Sequence, residues 1–214
     1  MAKRHWYLPL CLLQLTILLS LIGLGMPAQA EQTWAVILQY QQISNRTPHD
    51  SSTSLTNFQR QIHYLRDKDY RILPLPDIVQ HLRDGKALPD RSVAITFDGA
   101  DRSVCEIVFP LLNKLQIPFT VFVSSAAIDS GDPATCSWAQ LQQLATAGIT
   151  LANHTTNRKN LAARAHDQKL ADWRSAVQTE IEQGELDLAQ HLHAGLEALG
   201  SEHALEQRCR QWRA

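Results

Sequence analysis

The sequence predicts an α/β protein with about five parallel strands and a helical C-terminal tail. Three observations carry that expectation. Short apolar runs at 35–40, 70–73, 92–97, 118–123 and 149–152 alternate with helical segments, which is the pattern of βαβ units in a parallel sheet or barrel. The first and third of these runs are apolar at consecutive positions, as in strands buried on both faces. Beyond Asn160 the apolar residues fall at helical spacing instead, with Trp173, Val177 and Ile181 on one face and Leu188, Leu192, Leu196 and Leu199 continuing in the same style.

The elements follow in order. AVILQY, 35–40, is the first strand, and the polar stretch 45–53 after it is turn-rich. Phe58, Ile62 and Leu65 mark a helix closed by Asp67-Lys68-Asp69, and 70–73 is the second strand. Pro76 suits the first turn of a helix through Ile78, Val79 and Leu82, ended by Asp84-Gly85. SVAITF, 92–97, is the third strand. A helix is expected over 104–115, kinked by Pro110. PFTVFV, 118–123, is the fourth strand, the helix 138–147 ends at Gly148, and 149–152 is the fifth strand.

At the N-terminus Lys3 and Arg4 precede an apolar run over 8–24, followed by Pro27 and Ala28-Gln29-Ala30. A basic start, an apolar stretch and a small-x-small site form a secretory signal peptide; an uncleaved anchor is the alternative. Loss of residues 1–30 moves the formal net charge from −1 to about −3, which is not the charge of a nucleic-acid binder. Three cysteines then remain: Cys105, Cys136 and Cys209. Their wide spacing matches no zinc motif, and one disulfide with a free thiol or three free thiols are equally compatible with it.

The chemically informative segment is VAITFDGADRSV, 93–104, where a buried strand runs straight into Asp98. Strand C-terminal ends face the active site in parallel barrels, so this carboxylate is placed for chemistry, although an aspartate there could also cap the next helix. The segments AVILQY, YRILPLPDIVQHL, LPDRSVAITFDGADRSV, FPLLNKLQIPFTVFV, SWAQLQQLATAGITLANHT and EIEQ, taken in order, resemble the polysaccharide deacetylase family of carbohydrate esterases. The resemblance implies a distorted (β/α) barrel, here incomplete, and a hydrolase that removes N-acetyl groups from an envelope or extracellular polysaccharide. It also implies a divalent, zinc-like metal held by one aspartate and two histidines, a second aspartate as general base and a late histidine as general acid.

Carried over by position, that pattern puts Asp98 at the general base and His154 at one metal ligand. Gly99 stands where the metal-binding aspartate is expected, and Arg158 where the second histidine is expected. Asp101, three residues past Asp98, could supply a replacement carboxylate to a site with Asp98 and His154. No late strand with a histidine is found before Ala214, so the general acid is unassigned, and His166, His191, His193 and His203 read as solvated surface residues. Phe119, Phe122 and Trp138 read as core or groove lining, and the substrate-binding residues are not identified.

The expected organisation is a signal peptide at 1–30, a deacetylase-like domain at 31–165 forming the first part of the barrel, and a helical tail at 166–214. Two functions compete with hydrolysis: a non-catalytic carbohydrate-binding or scaffold relative, and a truncated product without a role of its own. The expected location is the periplasm or the extracellular space, with a polysaccharide as partner, no nucleic acid and no stable membrane span after cleavage. N-terminal sequencing of the exported protein is expected to begin at Glu31; an intact Met1 on membrane-bound protein would make the segment an anchor.

Overall fold

The computed structural model describes residues 34–46 and 52–198, with side chains through Leu192. The expected signal peptide, Cys209 and the end of the expected tail lie outside the described residues. Within them the order is β1 (Val36–Tyr40), α1 (Leu55–Asp67), β2 (Arg71–Ile72), α2 (Leu75–Arg83), β3 (Ser92–Asp98), a π-helical turn (Val104–Val108) and α3 (Phe109–Lys114). Then come β4 (Thr120–Val123), α4 (Ser125–Asp129), α5 (Trp138–Thr146), β5 (Thr150–Asn153) and α6 (Leu170–Ala198). The five strands form one sheet in which every pairing is parallel, in the order β1-β3-β4-β5, with β2 also on β3. The α/β expectation with five strands therefore holds.

Strand β3 is central because its sequence leaves no face for water. Ser92 through Phe97 are all buried. Val93, Ile95 and Phe97 join the main core, whereas Ala94 packs on the opposite side with Ile78 of α2 and Leu88. On the main side Tyr40, Phe58, Phe97 and Phe119 interlock, with ring centroids 5.1–5.9 Å apart in stacked and edge-on pairs. Burial pushes the Tyr40 phenol up to about 12, and its hydroxyl donates to Gln61 Oε1 at 2.8 Å. Helix α1 presents Phe58, Ile62 and Leu65 to this core, as their spacing predicts, and Ser54 caps it by accepting from Asn57 N.

The structure revises some local expectations and adds elements that the sequence pattern does not announce. The helix over 104–115 is not a kinked α-helix; it opens as a π turn in which Phe109 N–H reaches back to Val104 O. Pro110 lacks an N–H and so sits at the start of α3, where no partner is needed. Strand β1 is not buried on both faces as its apolar run suggests: Val36 and Ile37 are exposed, and only Tyr40 at its end is fully buried. Helix α4 has no apolar periodicity to announce it. The segments around Trp173 and Leu188 form one continuous 29-residue helix, α6, which packs on α5, β5 and α4.

Cys105 and Cys136 are bonded as a disulfide, which excludes the reading of three free thiols. The bond ties the π turn to the segment entering α5, and both residues are buried. Closing a segment with a sequence separation of 31 constrains the unfolded chain by about 3.7 kcal/mol. The double variant Cys105→Ser/Cys136→Ser is expected to melt on the order of 10 °C below the wild type. Thermal unfolding followed by circular dichroism measures this; equal Tm values would show that the bond contributes nothing.

Candidate functional site

Register places the site. Gln39 of β1 and Thr120 of β4 flank Thr96 of β3, and Phe122 lies beside Asp98, so Gln39, Thr96, Asp98, Thr120 and Phe122 share one face of the sheet. Ala152 of β5 pairs with Phe122, and His154, two residues on, belongs to the same face. Two main-chain bonds carry the chain past the strand ends: Gly99 N–H donates to Phe122 O and His154 N–H to Val123 O, each at 2.8 Å. Asp98 and His154 thus meet above the C-terminal edge of β4.

Their side chains are held individually. Gln39 donates its amide to Asp98 Oδ2. His154 Nε2 lies 4.0 Å from the same oxygen, too far for a hydrogen bond. Its other ring nitrogen, Nδ1, is 3.2 Å from the hydroxyl of Ser124, a buried residue that also donates to His154 O. Phe122 packs edge-on against the imidazole at 6.3 Å. Neither Gln39 nor Ser124 is apparent in the sequence as a site residue, since each reaches the site across a strand pairing.

Asp101 is not brought into this group. Its Oδ1 accepts from the main-chain N–H of Ser103 at 2.8 Å and from the Ser103 hydroxyl. Among the described residues no three His, Cys, Asp or Glu side chains are grouped so as to hold a metal ion. The reason lies in the Gly99–Arg158 pair. Gly99 has φ +93°, and a Cβ built on it would lie 2.9 Å from Arg158 Nη1, 3.1 Å from Cζ and 3.4 Å from Nη2. The guanidinium therefore rests on the glycine where an aspartate side chain would begin. The divalent ion implied by the resemblance does not fit these residues: one ligand has no side chain, and a permanent cation covers its place.

The loop carrying His154 and Arg158 is held from below by α6. Thr155 and Arg158 have φ values of 65° and 54°, a left-handed backbone that costs a non-glycine residue roughly 1–2 kcal/mol. Asn153 Oδ1 accepts from Thr155 N–H at 2.7 Å and Asn153 Nδ2 donates to Ile181 O at 2.8 Å. Thr156 N–H donates to Glu180 O, and the Glu180 carboxylate accepts from the main chain and side chain of Asn157 and pairs with Lys159 at 3.3 Å. Gly184 lets the helix come this close: a Cβ there would lie 2.5 Å from Asn153 Oδ1 and 3.0 Å from the Thr155 carbonyl carbon. A glycine inside a helix costs about 1 kcal/mol relative to alanine, so its presence within α6 is the one sequence signal for this contact.

His191 departs from the expected surface position. Its ring stacks on Trp138 with centroids 4.0 Å apart, and its Nε2 lies 3.7 Å from Asp129 Oδ1, which also accepts from Trp138 Nε1 at 2.7 Å. This cluster fastens α6 to α4 and α5. His166 is exposed, as expected. His203 and the His193 side chain lie outside the described residues.

Glu180 makes the loop anchor sensitive to acid. Burial pushes its carboxyl up, but the Asn157 main-chain N–H, the Asn157 amide and the Lys159 ammonium outweigh burial and hold it below the ordinary glutamate value. A carboxyl with a lowered folded-state value stabilises the fold above its unfolded value of 4.5, and that contribution disappears as pH falls through the folded value. Glu180→Gln is expected to cost on the order of 1 kcal/mol at pH 7. The gap to wild type should shrink below pH 4.5, as urea unfolding at a series of pH values would show; a gap independent of pH would rule out the charge as its source.

Comparison with known proteins agrees with this architecture. The family model described as polysaccharide deacetylase matches residues 85–191, half of the chain. A poly-beta-1,6-N-acetyl-D-glucosamine N-deacetylase of Staphylococcus aureus (strain MSSA476) is 35% identical over 80 residues, which are 37% of this chain and 27% of that protein. The protein of the same name from Staphylococcus epidermidis is 30% identical over 114 residues, 47% of this chain and 39% of the relative. The matches thus span well under half the length of these relatives. Among solved structures, IcaB from Ammonifex degensii superposes with a TM-score of 0.64 at 25% identity, covering 74% of this chain and 70% of that one. The Streptococcus pyogenes deacetylase PplD in complex with acetate gives the same TM-score at 20% identity, covering 74% and 69%, and shows the shared fold. By the family match, and with the parallel sheet in agreement, this chain belongs to the polysaccharide deacetylase family.

Proposed function

We propose that this chain is an exported polysaccharide-binding member of its family that does not carry out metal-dependent deacetylation. The observation that carries the reading is the guanidinium of Arg158 lying over Gly99, where the resemblance calls for an aspartate. The remaining features support a retained glycan groove. Asp98 and Gln39 offer hydrogen-bonding groups at the strand ends, His154 is oriented by Ser124, and the partly buried Phe122 supplies an apolar surface on which a sugar ring can lie. The relatives' names point to polymers of N-acetylglucosamine as the ligand class. Export is supported by the signal-peptide pattern at 1–30 and agrees with the disulfide, since such bonds persist in oxidising compartments. Among the described residues no helix is long and apolar enough to cross a membrane.

The residues present assign limited chemistry. Asp98 can accept a proton from a bound water or hydroxyl, and His154 can donate or accept at Nε2, but neither has a neighbouring cation placed as a metal would be. The wild type is expected to bind N-acetylglucosamine oligosaccharides and to release no acetate from them, with or without a chelator. Gly99→Asp alone should not restore metal binding, because its Cβ meets the guanidinium. Gly99→Asp with Arg158→His removes that obstruction and, after the cost of holding an aspartate at a φ of +93°, should bind zinc at least about 10-fold more tightly than the wild type. Calorimetry and an acetate-release assay on the wild type and all three variants check this. Chelator-sensitive activity in the wild type would overturn the reading.

A further inference from the structure

The Gly99–Arg158 contact does more than displace a metal, because it places there a cation that no described residue pairs with. Among the described residues the Arg158 guanidinium makes no ion pair and no hydrogen bond; the residue's one bond runs from its main-chain N–H to Thr155 Oγ1 at 3.1 Å. Lys159, the adjacent cation, is by contrast paired with Glu180. An exposed arginine without a partner is ordinary when its side chain extends into water. Arg158 instead lies back over the end of β3, against the Gly99 backbone and next in sequence to Asp98. Its main chain and that of Thr155 are held in the left-handed region to bring it there, and the turn is fastened by Asn157 and Thr156 to Glu180.

The result is a planar fork of five N–H donors with a permanent charge, resting on Gly99 at the end of the strand that carries Asp98. Such a fork matches a carboxylate through two parallel N–H···O bonds. A single negative charge also suits the site better than a double one, since the Asp98 carboxylate already lies nearby and repels a phosphate dianion more strongly than a carboxylate. Resting on the reading of this groove as a glycan site, we infer that Arg158 makes it selective for acidic sugars of the uronate class, whose carboxylate takes the fork while the ring lies toward Phe122 and His154. The site then binds an anionic group at the position where the resemblance places a metal cation.

The test compares a uronate-containing oligosaccharide with the same oligosaccharide after reduction of its carboxylates to alcohols, by calorimetry on the full chain. The wild type is expected to bind the uronate form at least about 10-fold more tightly, with the preference falling as ionic strength rises. Arg158→Asn tolerates the positive φ and should lower uronate binding to the level of the reduced form. Arg158→Lys keeps the charge without the fork and should retain part of the preference. Equal binding of the two forms by the wild type, or an undiminished preference in Arg158→Asn, would overturn the inference while leaving the glycan reading intact. A sulfated oligosaccharide bound as tightly as the uronate would overturn the carboxylate assignment. Binding of neither form while N-acetylglucosamine oligosaccharides still bind would overturn this inference alone, and binding of none of the three would remove the glycan reading and this inference with it.

Discussion

Strand β3 is paired at every residue. Its first residues bond to β2, its middle to β1 and its end to β4, and Ser92 through Phe97 are buried on both faces. A backbone buried in this way has to satisfy its polar groups within the sheet, so the register of three other strands is set by this one. The same register delivers the site. Asp98 is the last residue of β3 and the first in it that is not fully buried, and the strand ends at a glycine whose φ of +93° turns the chain away. The carboxylate stands at the mouth because the strand before it is too apolar to end sooner.

The second half of the site depends on α6, a helix far along the chain. The loop 153–158 departs from the sheet in a strained conformation and would relax without support. Glu180 and Gly184 provide that support in different ways, one by charge and hydrogen bonds and the other by the absence of a side chain. Helix α6 is itself clamped by the Trp138–His191–Asp129 cluster and by Leu188 in the core. Position at the site is therefore coupled to packing about 30 residues away in sequence, and the helix acts as a wall of the domain as much as a tail.

What could be read from the residues was local. Consecutive apolar runs located the sheet, helical spacing identified the buried face of α1, and the charge at the end of β3 marked Asp98. What escaped was set by contacts between distant segments. Gln39 and Ser124 are unremarkable polar residues until strand pairing carries them to Asp98 and His154. Glu180 lies in the EIEQ segment of the family resemblance, yet its role exists only once α6 lies under the loop. Asp101 is near Asp98 in sequence, but the local pull of Ser103 turns its carboxylate elsewhere. The two-residue β2 was expected to be longer, since Tyr70 and Leu73 are apolar enough for a strand but fall outside its pairing.

The disulfide has a consequence for the integrity of the chain. Cys105 and Cys136 bracket β4, α4 and the exposed turn at 130–134. Exposed turns of small and polar residues are where proteases cut most readily. A cut at Gly131 or Asp132 would separate the polypeptide into two fragments, with β1 to α4 on one and α5, β5 and α6 on the other. The bond would keep those fragments in one covalent molecule, and the unbroken pairing of β4 with both β3 and β5 would keep Asp98 and His154 facing each other. A nicked chain of this kind would run as two pieces only after reduction.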